Sequence, residues 1–252
     1  MNGEMMDFPV LLKTFHEGKM KEYFVMQKGK LHTDLGILDL EELETKSFGD
    51  RISSHLGIEF IVQKPRAPDF FAHAKRSGAP MMPKDIGTII SGTGLCSSDH
   101  VLDAGTGSGI LAIYLGGIAE KVISYEQRED FIEIAKKNIA LAGLSGVELR
   151  SGDIVEEIRN LDEKFDVITL DTLDAAHVIP YAPEVLYPGG FLAVYSPFFE
   201  QTKEARKAIE ETGFAEVRTI ETIEREISFT ERGTRPSTAR VGHTGFITLA
   251  RY

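Results

Sequence analysis

The sequence predicts an α/β protein in which a mostly parallel sheet follows a small β-rich domain. After residue 83, short apolar strands alternate with amphipathic helices, a pattern that implies right-handed crossovers between parallel strands covered on both faces. Before residue 70 the segments are short and strand-like, and glycines recur between them as in tight turns. We therefore predict a β-rich accessory domain over residues 1–70 and an α/β domain over residues 71–252.

The strand-like segments of the first domain end at turn signals. YFVMQ (23–27) is followed by KGK, and GIEFIVQKP (57–65) is stopped by Pro65. PRAPDFF (65–71) is typical of a connection to the next domain.

The α/β domain opens with a helix over residues 83–95, because Pro83 stands at its entry and Asp85 in its first turn. Five apolar strands are predicted at residues 100–105, 121–126, 147–153, 165–171 and 189–196. The alternating helices are predicted at residues 108–118, 129–143, 154–161, 176–186 and 200–213. The last segments, 215–229 and 243–252, predict two antiparallel strands at one edge of the sheet, which makes seven strands.

The composition is that of an ordinary globular protein, with 42% hydrophobic and 27% charged residues. No run approaches the roughly 20 apolar residues of a membrane helix, so no membrane partner is expected. Cys96 is the only cysteine, which excludes an intrachain disulfide or a cysteine-based metal cluster, and no metal site is predicted. The first residues do not have the pattern of a signal peptide, and a cytoplasmic location is expected.

The net charge of −11, from 39 acidic and 28 basic residues, argues against a nucleic-acid partner when it is taken alone. Only the local surface meets a ligand, however, and basic residues do cluster. The clusters are Lys64–Arg66, Lys75–Arg76 with Lys84, and the arginines Arg225, Arg232, Arg235 and Arg240. Charge therefore leaves the partner open.

The most informative segment is the turn at residues 103–109, DAGTGSG, which follows a strand and opens a helix. Glycines at 105, 107 and 109 permit sharp turns and a close approach of the backbone to a ligand. Glu126 ends the next strand, about 20 residues further on, where a carboxylate can accept hydrogen bonds from both hydroxyls of a ribose. These features predict a nucleoside-binding site.

The spacing of the turn favours S-adenosylmethionine over a dinucleotide. The dinucleotide fingerprint is G-x-G-x-x-G, whereas this turn has G-x-G-x-G with Asp103 at its start. A carboxylate there would repel a pyrophosphate, but it suits a ligand that carries a cationic amino group and no phosphate. Asp153, at the end of the third strand, is then expected to bind the adenine amine.

Several motifs resemble known families. DAGTGSG, YEQREDF (125–131) and GDI (152–154) resemble class I methyltransferases. The chain is similar, more narrowly, to the archaeal form of the tRNA (adenine-58-N1)-methyltransferase family. That similarity is carried by HTDLGILDLEE (32–42), SHLGIEF (54–60), MPKDIG (82–87) and RPSTARVGHTGFITLAR (235–251).

The resemblance implies a Rossmann-like class I methyltransferase domain that methylates N1 of adenine 58 in the T-loop of tRNA, and it leaves open whether adenine 57 is methylated too. It also implies a homotetramer. The expected S-adenosylmethionine site comprises Asp103, Gly105, Thr106, Gly107, Ser108, Gly109, Ile110, Leu111, Glu126, Asp153 and Asp171. Asp171, at the end of the fourth strand, matches the catalytic carboxylate of the family.

The chain departs from the family pattern at three places. Thr172 and Leu173 replace the usual Leu-Pro after the catalytic aspartate, Met82 stands where a tyrosine or histidine is frequent, and Ala79-Pro80 replaces Thr-Gln. The change at residues 172–173 bears on the shape of the pocket for the base, and the contact expected at position 82 would be weaker with methionine or supplied elsewhere.

The chemistry of the reaction suggests how the substrate is held. Adenine N1 lies on the Watson–Crick edge, so the nucleotide must be turned out into a pocket, where Asp171 would accept a hydrogen bond from the exocyclic amine. The alternative is that Asp171 only caps the helix near Ala175. The residues expected on the substrate side are Met82, Tyr195, Arg235 and His243, and the alternative for Tyr195 is a core tyrosine.

Two other functions remain open at this stage. One is a methyltransferase that acts on a small molecule or on isoaspartyl protein, which would suit the acidic charge. The other is a non-catalytic tRNA-binding subunit, against which the intact glycine turn, Glu126 and Asp171 argue.

Overall fold

The structure is a computed structural model that describes residues 9–238 and 242–252. Arg240 and the middle of the predicted C-terminal motif therefore lie outside the described residues. The chain divides into two compact units, Met1–Ala74 with Ala140–Gly143, and Lys75–Ile139 with Leu144–Tyr252. The expected connection at residues 65–71 largely forms helix α1 (Ala67–His73).

The first unit is built on antiparallel strands. Its strands are β1 (Val10–His16), β2 (Lys19–Val25), β3 (Lys30–Thr33), β4 (Gly36–Asp39), β5 (Arg51–Ser53) and β6 (Glu59–Gln63). Four of them form a sheet in the order β2-β1-β6-β5, and β3 pairs with β4. Glu17 and Gly18 both have positive φ, which is the conformation of a two-residue turn between twisted strands. Phe60 and Val62 face the core, since alternate residues of a strand point to opposite sides.

The rest of the chain alternates strands and helices. Its elements are α2 (Pro83–Thr93), β7 (His100–Ala104), α3 (Ile110–Gly116), β8 (Lys121–Glu126), α4 (Glu129–Ala142), β9 (Val147–Ser151), α5 (Ile154–Glu157), β10 (Phe165–Leu170), α6 (Ala175–Val178), α7 (Ala182–Val185), β11 (Leu186–Ser196), α8 (Phe199–Thr212), β12 (Ala215–Ile220), β13 (Ile227–Thr230), β14 (Gly233–Pro236) and β15 (Phe246–Arg251). No helix within the described ranges is long and apolar enough to cross a membrane.

The main sheet has seven strands in the order β12-β15-β11-β10-β7-β8-β9, which confirms the predicted number. The pairs from β11 to β9 are parallel, whereas β15 is antiparallel to both β11 and β12. The strand order reverses beside β7, since β8 lies on one side and β10 on the other. Ligands of open α/β sheets bind at such a switch point, outside the carboxyl ends of the strands.

The central strands are apolar because both faces of the sheet are covered. Strands β7, β8 and β10 are buried at nearly every position, as expected of parallel strands between helices. Five large apolar side chains of these and the neighbouring strand are at most 1% exposed and belong to one hydrophobic cluster. They are Leu102, Ile123, Phe165, Ile168 and Leu192. The ends of β7, β8 and β10 are thereby fixed in a rigid layer.

Three predicted segments differ in detail from the structure. The helix expected over 176–186 is interrupted by a 3₁₀ turn at Ile179–Tyr181, because Pro180 and Pro183 cannot donate the backbone hydrogen bonds of a continuous helix. The helix expected over 154–161 likewise ends in a 3₁₀ turn. The strand expected over 215–229 ends at Ile220, and β13 pairs instead with β14 in a separate, largely exposed hairpin.

Candidate active site

The glycine turn packs directly on the end of β10. Gly105 has φ of 89°, and a Cβ atom at this residue would lie 2.0 Å from the carbonyl oxygen of Asp171. The Asp171 N–H donates a hydrogen bond of 2.8 Å to the Ala104 carbonyl oxygen. Glycine is therefore required at 105, because the backbone of β10 fills the space of a side chain.

A cavity of about 350 Å³ opens at this switch point. It brings together most of the predicted cofactor residues, namely Gly105, Thr106, Gly107, Ser108, Ile110, Leu111, Glu126, Asp153 and Asp171. Gly109 lies outside its lining, and a Cβ atom there would instead contact Ala135 and Ile139 of α4 at 3.3–3.4 Å. Its φ of 80° at the start of α3 accounts for the glycine.

Asp103 does not line the cavity, although its sequence position suggested a contact with the ligand. Its carboxylate is fully buried and accepts hydrogen bonds from the Ser124 hydroxyl at 2.5 Å and the Thr169 hydroxyl at 2.6 Å. Burial raises the pKa of Asp103, an effect that these two hydrogen bonds oppose. The side chain thus lies beneath the glycine turn, and it joins β7 to the strands on either side.

Glu126 is held by backbone donors at the end of β8. Its Oε2 accepts a hydrogen bond of 2.9 Å from the Gly107 N–H, and its Oε1 accepts bonds of 3.0 Å from the N–H groups of Gln127 and Arg128. A carboxylate offers about four lone-pair positions, so acceptor capacity remains for a ligand hydroxyl. The carboxylate is therefore oriented before a ligand arrives.

Asp153 is oriented in a similar way at the end of β9. It is the N-cap residue of α5, and its Oδ1 accepts a hydrogen bond of 2.9 Å from the Val155 N–H. The second carboxylate oxygen is available to a donor in the cavity, as the interpretation of Asp153 as the adenine-binding residue requires.

Asp171 lies at the edge of the cavity, and its pKa is strongly raised. Burial, followed by repulsion from Asp103 and Glu126, raises its pKa to about 7. Its carboxylate makes no hydrogen bond to another side chain in the part of the chain that the structure describes. The alternative of a capping role fails, because Asp174 is the N-cap residue of α6. A carboxylate with such a pKa at the edge of a cavity is typical of functional sites.

The residues predicted on the substrate side are not part of the cavity lining. Val194 of β11 pairs with Leu170, the last residue of β10. Tyr195 and Asp171 are the next residues along the chain, so they occupy neighbouring positions. Met82 is the N-cap residue of α2, and its neighbour Met81 lines the cavity in its place. Arg235 is exposed on β14.

His243 is engaged at both ring nitrogens. Nδ1 lies 2.8 Å from Glu221 Oε1, and Nε2 lies 2.7 Å from the Pro197 carbonyl oxygen. The Pro197 carbonyl and the Glu221 carboxylate raise the pKa of His243. Contact with a substrate would have to displace one of these partners.

Sequence reasoning missed part of the cavity wall. Residues 77–81 line the cavity, and so do Arg128 and Phe131. The Arg128 guanidinium lies over the Phe131 ring, with its carbon 3.7 Å from the ring centroid. Asn138 links two walls, since its Nδ2 donates to the carbonyl oxygens of Lys75 at 2.9 Å and Ser108 at 2.8 Å. A polar residue on an amphipathic helix was the available signal for Asn138, while Ala79-Pro80 and the YEQREDF motif marked the other two segments without assigning them a contact. Within the described ranges, no group of three or more His, Cys, Asp or Glu side chains is arranged to hold a metal ion.

Comparisons with known proteins agree with this geometry. A family model described as a methyltransferase domain matches residues 95–230. The crystal structure of an S-adenosylmethionine-dependent O-methyltransferase from Thermotoga maritima matches with a TM-score of 0.82 and 29% identity, over 96% of this chain and 92% of that chain. The α/β unit is thus a class I methyltransferase domain, whose methyl donor is S-adenosylmethionine.

The sequence relatives are more specific. The tRNA (adenine(57)-N(1)/adenine(58)-N(1))-methyltransferase TrmI of Methanocaldococcus jannaschii is 36% identical over 250 residues, 88% of each chain. The tRNA (adenine(58)-N(1))-methyltransferase TrmI of Thermus thermophilus is 32% identical over 247 residues, 96% of each chain. The chain belongs to this tRNA (adenine-N1)-methyltransferase family, as its motifs predicted.

Proposed function

We propose that the protein transfers a methyl group from S-adenosylmethionine to N1 of adenine 58 in the T-loop of tRNA. The observation that carries this proposal is the Asp171 carboxylate, which lies at the edge of the cavity with a pKa of about 7. The similarity to tRNA methyltransferases supports this proposal, because that similarity covers residues well beyond the methyltransferase domain.

The residues of the cavity fit the methyl donor. Glu126 would accept hydrogen bonds from the ribose hydroxyls, and Asp153 would accept one from the adenine amine. Gly105 and Gly107 leave room for the ligand to approach the backbone closely. Three carboxylates in the lining, those of Glu126, Asp153 and Asp171, would repel a pyrophosphate but suit a cation. S-Adenosylmethionine, when bound, supplies an electrophilic methyl group on a positively charged sulfur.

The protein has to expose, orient and stabilise the target base. Adenine N1 is hidden by pairing and stacking, so the nucleotide must be flipped out of the T-loop. Asp171 would then accept a hydrogen bond from the exocyclic amine and stabilise the positive charge that develops on the ring. A carboxyl whose pKa lies near 7 is also suited to take a proton from that amine after methylation.

The target nucleotide needs a direct test. The relative from Methanocaldococcus jannaschii is named for adenines 57 and 58, and the one from Thermus thermophilus for adenine 58. Incubation of the purified protein with unmodified tRNA and labelled methyl donor, followed by mapping of the modified nucleotide, distinguishes these cases. Label at N1 of adenine 58 is the expected result; transfer only to small molecules or isoaspartyl peptides would favour the alternative substrates.

The Asp171→Ala variant tests the catalytic assignment. We expect it still to bind S-adenosylhomocysteine, within about tenfold of wild type by calorimetry because Glu126 and Asp153 remain, and to lose at least about a hundredfold in turnover, the scale for the loss of an electrostatic stabiliser. Asp174→Ala is the matched control, because Asp174 is an exposed carboxylate three residues away that does not line the cavity. Wild-type turnover in Asp171→Ala would refute the assignment, and wild-type protein unable to bind the cofactor product would favour a non-catalytic subunit.

We also propose that the protein is a cytoplasmic homotetramer and that it binds the body of tRNA. A chain with a net charge of −11 has few basic surfaces, so basic patches from several subunits would have to act together. The exposed arginines Arg232 and Arg235, on the turn and second strand of the β13–β14 hairpin, are the candidates for such a patch. Light scattering at micromolar concentration tests the state of assembly, with four times the mass of the chain expected.

A further inference from the structure

One wall of the cofactor cavity is a coil segment. Residues 75–82, between α1 and α2, are neither helix nor strand, and five consecutive residues of this segment, 77–81, line the cavity. The segment lies close to the glycine turn, since a Cβ atom at Gly107 would be 4.0 Å from Ser77 Oγ. Without the backbone pairing of a helix or a sheet, such a wall keeps its shape only through other contacts. Cofactor binding therefore depends on what holds this segment.

Asn138 of α4 holds the start of this segment. The residue is 2% exposed, and its Nδ2 donates one hydrogen bond to the Lys75 carbonyl oxygen at 2.9 Å and one to the Ser108 carbonyl oxygen at 2.8 Å. An amide nitrogen carries two hydrogens, so both are used. Because both partners are carbonyl oxygens, the nitrogen of the amide must face them. Asn138 is thus a bridge between the coil segment and the glycine turn.

The chemistry of this bridge requires an amide. Asparagine is a poor residue for the interior of a helix, so its place within α4 is explained by the contacts it makes there. A carboxylate of the same shape would face two oxygens without a proton to donate. An apolar side chain would leave the two carbonyl groups without this partner, which costs free energy wherever they are buried. Either change would release the coil segment from the glycine turn.

We propose that Asn138 is a positioning residue for S-adenosylmethionine, because its two hydrogen bonds hold residues 77–81 beside the glycine turn in the conformation that binds the donor. Asn138 itself does not line the cavity. The apparent affinity of a site falls in proportion to the fraction of molecules in the binding conformation. Loss of the bridge would therefore weaken binding without removing any direct contact to the ligand. This role concerns the methyl donor and is independent of which nucleotide is methylated.

Calorimetry with S-adenosylhomocysteine tests this role. For Asn138→Ala we expect the Kd to rise about tenfold, the scale of one or two lost hydrogen bonds. Asn138→Leu fills the space but has no donor, and an equal rise in Kd there would show that lost volume is not the cause. Asn160→Ala is the matched control, because the exposed Asn160 amide donates to the Glu156 carbonyl oxygen at 3.3 Å and does not line the cavity. Its Kd should stay within about twofold of wild type.

Limited digestion with trypsin reports on the wall itself, because Lys75 and Arg76 provide cleavage sites at its start. Bound S-adenosylhomocysteine should slow cleavage after these residues at least about fivefold in wild type. Without ligand, Asn138→Ala should be cleaved there at least about fivefold faster than wild type, since the segment opens more often. Saturating ligand should bring the variant to within about twofold of liganded wild type, because the ligand selects the conformation that the bridge normally holds.

Ile209→Val separates this role from a general loss of stability. Ile209 is fully buried in α8 and does not line the cavity, so the substitution destabilises the fold without touching the wall. With stability measured by urea unfolding, its Kd and its cleavage after Lys75 should stay within about twofold of wild type. A wild-type Kd in Asn138→Ala, or an equal loss of binding in Ile209→Val at comparable stability, would refute the positioning role. Wild-type cleavage that the ligand does not slow would refute it as well, without recourse to any variant.

Discussion

At the scale of single residues, Asp171 is held in a place that disfavours its charge. Its pKa rises from an ordinary value of 3.8 to about 7, chiefly because burial removes water from the carboxylate. The folded protein therefore binds a proton that the unfolded chain releases between these two pH values. The contribution of Asp171 to stability consequently falls as pH rises from about 3.8 to about 7 and is constant above that. The catalytic role proposed for Asp171 would account for a carboxylate at this cost.

The Asp171→Asn variant should be more stable than wild type at pH 8.5 and nearly equal to it at pH 4. The amide is neutral at every pH, so the gain follows the ionisation of Asp171 and reaches at most about 4 kcal/mol, at 1.36 kcal/mol for each tenfold change in acidity. Urea unfolding of both proteins at pH 4, 6 and 8.5 measures it. A gain that is the same at all three pH values would point to packing instead of charge.

At the scale of elements, the glycine turn depends on backbone lying against backbone. Gly105→Ala would place a methyl group 2.0 Å from the carbonyl oxygen of Asp171, and the positive φ adds strain. Neither strand can move independently, since β7 and β10 are paired in the sheet. We expect the variant to lose cofactor binding by more than about a hundredfold and to be destabilised by at least about 3 kcal/mol, the scale of severe core changes.

Gly87→Ala is the matched control for this change. Gly87 lies in α2 with an ordinary φ, and its added Cβ atom would contact nothing within 4 Å. The substitution should stabilise the protein by about 0.5–1 kcal/mol, because alanine is the better helix former. Thermal unfolding and calorimetry with S-adenosylhomocysteine report on both variants. A fully functional Gly105→Ala protein would contradict the close packing of the turn.

The order of the elements could be predicted from the sequence because strand and helix periodicities differ and each central strand is continuously apolar. The strand that ends at Asp171 could be predicted for the same reason, but Asp171 was singled out only by the resemblance to the tRNA methyltransferase family. The orientation of Asp103 could not be predicted, because it depends on Ser124 and Thr169, which lie 21 and 66 residues away. The separate β13–β14 hairpin was missed because its strands bury no face that would give a periodic signal.

At the scale of the whole molecule, tRNA binding has to overcome an acidic total charge. Each phosphate contact releases counterions, so the logarithm of the affinity should fall steeply with the logarithm of salt concentration. Arg235→Gln should weaken binding at low salt and reduce that slope by about 1, whatever the tRNA sequence. Fluorescence anisotropy at several salt concentrations measures the slope.

Lys207→Gln provides a matched control for the loss of charge. Lys207 is an exposed cation on α8 whose ammonium lies 3.7 Å from the Glu211 carboxylate, and it does not line the cavity. An equal reduction of the slope in both variants would show that net charge alone matters, and that the β13–β14 hairpin is not a specific contact surface.

The buried Asp103 carboxylate also has a consequence for how the sheet assembles during folding. Interior parallel strands rich in valine, isoleucine and leucine can slide past one another with little change in apolar contact. A slip of one residue between β7 and β8 would set Ile123 or Tyr125, in place of Ser124, beside the carboxylate. Its partner hydroxyl would then be lost, and an unsatisfied buried polar group costs about 1–3 kcal/mol, more when it is charged. A single acidic residue thus disfavours a shifted register of β7 and β8. It also fixes the position of the glycine turn relative to the sheet before any nucleoside has bound.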